Sequence, residues 1–412
     1  MTEFNKFYKD KRFYIPILAL IGFELLFQLF AGYYKPYLKK KSYAANVNQI
    51  IGHVLEKKNE HDPDILLVGT SVAYQGLSLP VLQERIKDTG LKIQSIAIPG
   101  SELIVQSLAV EKALSEFQNV KLIIYVGEIT MPWVSKTDLT LPTLAMINEF
   151  DKVSSLKKVK EFDYDASKID INLTFTNWKD FKFYIGYLFN YDDWAYLFFK
   201  SIAYRRDLND FLVDPGKRLK YISRKRANPN LNFYEYENDK SEKMSDYKIS
   251  NLEDCLKKTH PTDNFNPIPP TSNTDHKRAI FDTCWVGKYS TNAQVRTIET
   301  NLYFKRLSYI YSHIREKNIK IINIFAPYSN IIDNQLGGAG RVQVWKEELE
   351  KLNPPNPVLV DFRNVFEGKN SDDYCYDVIH LNHNGAVLFS EALGDYLKLN
   401  AKQLIQNKPE TR

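Results

Sequence analysis

From residue 64 onward, short runs of aliphatic and β-branched residues alternate with stretches whose apolar positions recur at helical spacing, the pattern of a parallel sheet covered on both faces. DILLVG (64–69) predicts a buried strand, and LPVLQERIKDTG (79–90) a helix stopped by Gly90. KIQSIAI (92–98) predicts a second strand and SELIVQSLAVEKALSEF (101–117) the next helix, with Ser101 placed to cap it. VKLIIYVG (120–127) predicts the third strand. The alternation stops over 130–293 and then resumes with a helix at 294–317, a strand KIINIFA (320–326), a helix VQVWKEELEKL (342–352), a strand PVLVDF (357–362) and a last helix at 384–399. The expectation is an α/β chain: a three-layer α/β/α domain with a five-stranded parallel sheet, built from 64–129 and 294–400. Residues 130–293 are an insertion after the third strand, 35–63 a linker helix and 401–412 a tail.

Residues 13–34, FYIPILALIGFELLFQLFAGYY, are apolar over a length that can cross a bilayer, which takes about 20 residues. Phe13, Tyr14, Tyr33 and Tyr34 flank the run as rings at headgroup level do. Glu24 and Gln28 interrupt it, and a central acid costs about 2.5 to 3.5 kcal/mol. The two lie one helical turn apart on one face, which suits a partner helix, while a surface helix of the soluble domain is the competing reading. No A-x-A site follows, so an uncleaved single-pass anchor over 1–34 is expected rather than a signal peptide. Lys6, Lys9, Lys11 and Arg12 before the run balance Lys35, Lys39, Lys40 and Lys41 after it, so charge does not set the orientation.

A mean hydropathy of −0.38 excludes a polytopic membrane protein. The net charge of +5 is too small to argue for nucleic acid, and no motif for it is present. The 26 Tyr and 24 Phe concentrate in the insertion, in NWKDFKFYIGYLFNYDDWAYLFFKSIAYRRDLNDF. That text reads as a small helical subdomain with an aromatic core, or as a lid or acceptor-binding surface. KRLKYISRKR (217–226) suits anionic lipid or an anionic polymer, at about 1 kcal/mol per charge near a membrane, or a solvated face. Residues 259–275 read as an extended loop. Cys255, Cys284 and Cys375 have no zinc-site spacing. A Cys255–Cys284 bridge stays open for an exported protein, beside three unpaired thiols.

Ligands of an open parallel sheet sit at the carboxyl ends of its strands. The residues there are Gly69, Thr70 and Ser71; Pro99, Gly100 and Ser101; and Gly127, Glu128 and Ile129. The loop after the fifth strand adds Asp377, Val378, Ile379, His380, Leu381, Asn382 and His383. Ser71 with Asp377 and His380 supplies a nucleophile, a base and its orienter. The alternatives are that Ser71 only caps a helix, and that Asp377, His380 and His383 bind a metal, for which no fourth ligand is evident. Cys375 has no base of its own.

LLVGTSVA, the glycine of AIPGSE and the terminal DVIH resemble blocks I, II and V of the SGNH (GDSL-like) hydrolase and O-acyltransferase superfamily, over 64–130 and 294–400. In layout the chain is similar to membrane-anchored bacterial SGNH proteins linked to acylation of envelope polymers, such as those of alginate acetylation and teichoic acid D-alanylation. The resemblance implies a flavodoxin-like sheet, with Ser71 as the nucleophile that forms an acyl-enzyme. His380 would be the base, typically giving about 10² to 10⁴-fold, and Asp377 would hold its tautomer. The N–H groups of Ser71 and Gly100 would face the oxyanion, at about 3 to 4 kcal/mol per donor. It further implies an esterase or O-acyltransferase without cofactor or metal, acting on an acyl ester of an envelope glycan or lipid. The site would be the bacterial inner membrane, with the catalytic domain extracytoplasmic.

Two positions depart from the family pattern. Thr70 replaces the Asp of block I, and block III, normally G-x-N-D, reads Gly127, Glu128, Ile129, Thr130. Ile129 cannot donate a hydrogen bond, and Glu128 would oppose an oxyanion if it pointed inward. The alternative is therefore a catalytically impaired SGNH-like protein that binds a glycan or assembles with membrane partners.

Overall fold

The computed structural model describes residues 11–34, 62–101, 103–131, 199–227, 238–260, 274–292, 298–352 and 358–406. Of these, 11–34 and 199–227 form one compact unit and the others a second. The first helix, α1 (Lys11–Tyr34), belongs to the smaller unit.

The larger unit is built on a five-stranded, all-parallel sheet of β1 (Ile65–Val68), β2 (Ile93–Ser95), β3 (Leu122–Gly127), β4 (Lys320–Phe325) and β5 (Val358–Asp361), in the order β2-β1-β3-β4-β5. Every residue of β1 and β3 is buried. Successive side chains of a strand point to opposite faces, so both faces are covered and the aliphatic runs need no polar alternation. After β1 come α2 (Ser71–Gly76) and α3 (Leu79–Ile86), and after β2 comes α4 (Leu103–Glu116). The chain steps one way from β1 to β2 and the other way from β2 to β3. Right-handed crossovers therefore put α3 and α4 on opposite faces.

The smaller unit holds, besides α1, the helices α5 (Lys200–Ala203), α6 (Arg205–Val213) and α7 (Pro215–Ala227). Glu24 accepts the backbone N–H of Lys200 at 2.7 Å and of Ser201 at 3.1 Å, and Gln28 Nε2 donates to it at 2.6 Å. The polar face of α1 thus caps the start of α5, whose first N–H groups have no acceptor inside their own helix. Phe27 meets Tyr204 edge-on at 5.6 Å beside it. The rest of α1 exposes its apolar side chains, Leu18, Leu20, Leu29 and Phe30 among them. Among the described residues no helix is long and apolar enough to cross a membrane.

Returning to the larger unit, α8 (Leu252–Thr259) and α9 (Thr274–Asn292) lie within the expected insertion yet fold with the sheet, and a Cys255–Cys284 disulfide joins them. α10 (Ile298–Glu316) precedes β4, α11 (Asn330–Leu336) and α12 (Gly338–Leu352) follow it, and α13 (His383–Gln406) runs into the expected tail. Trp345 of α12 is fully buried among the rings of Tyr303, Phe304 and Phe325 at 5.6, 5.1 and 5.4 Å. Each such aromatic pair adds about 0.5–1.5 kcal/mol beyond its buried area. α3 and α13 pack together, with Arg85 bridging Glu391 at 2.5 Å and Asp395 at 3.4 Å. The expected linker helix up to residue 61, and the aromatic segment up to residue 198, lie outside the described residues.

Candidate active site

The sheet order reverses between β1 and β3, because the chain leaves β1 toward β2 and leaves β3 toward β4. A crevice opens at such a point beyond the strand ends. β1 reaches it through Gly69, where a Cβ would lie 2.8 Å from Ala73 Cβ and 3.2 Å from Val126 Cβ. Only glycine lets the chain pass β3 this closely and turn at once into α2. Thr70 is extended and caps that helix, accepting from Val72 N at 3.4 Å. The capping role thus falls to Thr70, and the Ser71 hydroxyl goes elsewhere: Ser71 Oγ is 2.7 Å from His380 Nε2.

The loop carrying His380 is folded back on itself by a bridge between Cys375 and Leu381, with Tyr376 N donating to His380 O at 2.8 Å. Asp377 at its tip is 1% exposed. Its Oδ1 accepts the N–H groups of Ile379 at 2.9 Å and His380 at 2.8 Å, and its Oδ2 lies 2.8 Å from His380 Nδ1. Burial alone would raise this carboxyl, but the imidazole, Lys240 and the backbone N–H together hold it below the ordinary carboxylate value. An ionised Asp377 can only accept, so Nδ1 carries the ring proton and donates to it, which leaves Nε2 as the acceptor facing the Ser71 hydroxyl. That tautomer is the one a general base needs.

A segment the sequence did not single out ties these parts together. Asn238 Nδ2 donates to Gln75 O at 2.8 Å, at the end of α2, and to Leu381 O at 2.7 Å, just after His380. His383 faces this segment and not the triad: its N donates to Lys240 O at 2.8 Å and its Nδ1 is 2.9 Å from Asn238 O. The Lys240 ammonium sits 3.7 Å over the Tyr376 ring and donates to Gln75 Oε1 at 3.2 Å. Behind Tyr376, His276 Nε2 meets its carbonyl at 2.6 Å. Nothing in the local sequence marks Asn238, because it binds carbonyl oxygens that any residue would offer.

At the end of β2, Gly100 adopts φ +67°, a left-handed turn that suits glycine. At the end of β3, Ile129 is fully buried, with its N–H on Tyr328 Oη at 3.4 Å and its carbonyl on Arg341 Nη1 at 3.1 Å. Trp345 Nε1 fixes Met131 O at 3.0 Å. Glu128 is 6% exposed and accepts on Oε2 from Thr130 Oγ1 at 3.3 Å. Burial raises its carboxyl to about 7, against the opposite pull of His380 and Thr130. Its Oε1 has no hydrogen-bond partner among the described residues. Cys375 is a buried thiol raised well above its ordinary value by burial, the reverse of what a nucleophile needs.

The arrangement can draw a proton from a serine hydroxyl and return it to a leaving group. No protein-family model matches the chain, and no curated protein matches it.

Proposed function

We propose that the protein is an SGNH-type serine esterase or O-acyltransferase. The observation that carries this reading is the unbroken hydrogen-bonded line from Ser71 Oγ through His380 to a buried Asp377. His380 Nε2 takes the Ser71 proton as Oγ attacks an ester carbonyl. The tetrahedral intermediate collapses, and the departing alkoxide receives that proton from His380. Water or a sugar hydroxyl, deprotonated by the same nitrogen, then attacks the acyl-enzyme, and Ser71 Oγ leaves as it takes that proton back from His380. Hydrolysis and transfer differ only in that second acceptor.

We place the substrate among acyl esters of an envelope glycan or lipid, and the protein at the bacterial inner membrane with its catalytic unit outside the cytoplasm. Two features support this. The Cys255–Cys284 disulfide fits an oxidising compartment. α1 exposes apolar side chains over most of its surface, and α7 presents exposed Lys217 and Lys220 near exposed Leu212, Val213 and Leu219, a mixture suited to anionic lipid.

Ile129, buried where block III has its donor, favours a second reading: an impaired relative that binds a glycan or assembles with membrane partners. A fluorophosphonate probe on the detergent-solubilised full chain separates the two. The enzyme reading expects labelling at Ser71, lost in Ser71→Ala, together with hydrolysis of an acetyl ester. Folded, disulfide-bonded protein that is never labelled and hydrolyses no ester leaves only the binding reading.

A further inference from the structure

We infer that Glu128 acts as a neutral carboxylic acid whose Oε1 hydroxyl donates to the oxyanion formed when Ser71 attacks, in place of the donor that Ile129 lacks. This rests on the esterase or acyltransferase reading above. The placement follows from the sheet. Val68 of β1 pairs with Tyr125 of β3, and both parallel strands run out at the crevice, where Ser71 opens α2 just after β1 and Glu128 directly follows the last residue of β3. The backbone around Glu128 is pinned by Tyr328, Arg341 and Trp345, so the carboxyl is held rather than swung into solvent.

A buried polar atom without a partner is unfavourable unless something arrives to use it. Oε2 is occupied by Thr130, while Oε1 is buried and unbonded among the described residues. The titratable groups that face it are Tyr125 from β3, Tyr303 from α10, Tyr328 beyond β4 and His380 from the last loop. The three tyrosines are held neutral by burial, so among the described titratable groups only His380, once it has taken the Ser71 proton, favours the carboxylate. Burial works the other way and lifts the carboxyl to about 7. A carboxylate here would repel an oxyanion, whereas the acid stabilises it. The proton stays on Glu128 throughout and only shares its hydrogen bond, so the proton relay between Ser71, His380 and the leaving group is unchanged.

The test is the pH dependence of ester hydrolysis by full-length wild type, Glu128→Gln and Glu128→Ala, with p-nitrophenyl acetate as substrate. Wild type is expected to lose kcat/KM about tenfold per pH unit above about pH 7, as Glu128 ionises. Glu128→Gln keeps a neutral donor, so it should retain activity and lose that alkaline fall. Glu128→Ala should drop kcat by about 10² to 10³-fold at pH 6 with little change in KM. An alkaline fall that persists in Glu128→Gln overturns the inference, as does a Glu128→Ala enzyme with wild-type kcat. If the alanine variant does not fold, the glutamine pH profile still decides. A folded wild type that is neither labelled at Ser71 nor active overturns the esterase reading and this one together, whereas an active wild type with no alkaline fall overturns this one alone.

Discussion

Asp377 holds His380 by main chain and ring at once: Oδ1 accepts the His380 N–H at 2.8 Å while Oδ2 faces Nδ1 at 2.8 Å. The two contacts serve different ends, since one shapes the loop and the other sets the tautomer. Asp377→Asn keeps an oxygen for the backbone and loses the charge. It should fold, give up the stability that the charge supplies at neutral pH, and lose about 10⁴-fold in kcat. Asp377→Ala should lose activity similarly and also about 1–3 kcal/mol of stability, because two buried N–H groups are left without an acceptor. Steady-state kinetics with urea unfolding checks both, and an Asn variant within tenfold of wild type would sink the orienting role.

The same carboxyl makes stability depend on acid. Its folded value lies below the ordinary 3.8, so the unfolded chain binds the proton more readily. The stabilisation is complete above about pH 5 and disappears as pH falls through the folded value. Urea midpoints measured from pH 6 down to pH 2 should fall more steeply for wild type than for Asp377→Asn. Parallel curves would show that Asp377 binds its proton equally well folded and unfolded, which would contradict the lowered folded value.

Gly69 predicts a packing effect on chemistry. A methyl group there meets Ala73 Cβ at 2.8 Å, which forces β1 and the start of α2 apart. Gly69→Ala should cost about 1–3 kcal/mol by overpacking and slow probe labelling of Ser71. Wild-type melting and labelling together would contradict the close approach.

Asn238 touches neither the nucleophile nor the base, yet it joins the elements that carry them. Asn238→Ala removes three hydrogen bonds, the two to Gln75 O and Leu381 O and the one that its Oδ1 accepts from Lys240 N, each worth about 0.5–1.5 kcal/mol, and loosens the Ser71 to His380 distance. The expected result is a fall in kcat of about tenfold or more with KM nearly constant, since positioning is lost and binding is not. A variant destabilised to the same extent but with wild-type kcat would make Asn238 a purely structural residue.

The disulfide closes a loop of sequence separation 29, so loop entropy assigns it about 3 to 4 kcal/mol. Cys255→Ser with Cys284→Ser should lower stability by about 2 to 4 kcal/mol. Unreduced wild type in denaturant should titrate as one thiol, Cys375. Three reactive thiols would remove the bridge.

The strands were legible because burial on both faces demands uninterrupted aliphatic runs, and ILLV and LIIYVG are such runs at strand length. The positions of Ser71, Glu128 and His380 followed from one topological rule about strand ends. The six-residue α2 did not, because SVAYQG is too short to display a helical period. Nor did the inclusion of α8 and α9 in the sheet unit, which rests on their packing against α11 and on His276 meeting the Tyr376 carbonyl, contacts that no local pattern announces. Glu24 read as a defect in an apolar helix. It is the cap of a helix 176 residues further on, a partner no local pattern names.

Ser71 and His380 stand 309 residues apart in the chain, although their side chains touch. During synthesis the nucleophile therefore emerges long before its base. Until the loop carrying His380 has been made and folded back, the hydroxyl is an ordinary serine that no ester can acylate at a useful rate. On the proposed esterase reading the growing chain is disarmed by its own connectivity, and completion of the fold is the step that switches it on.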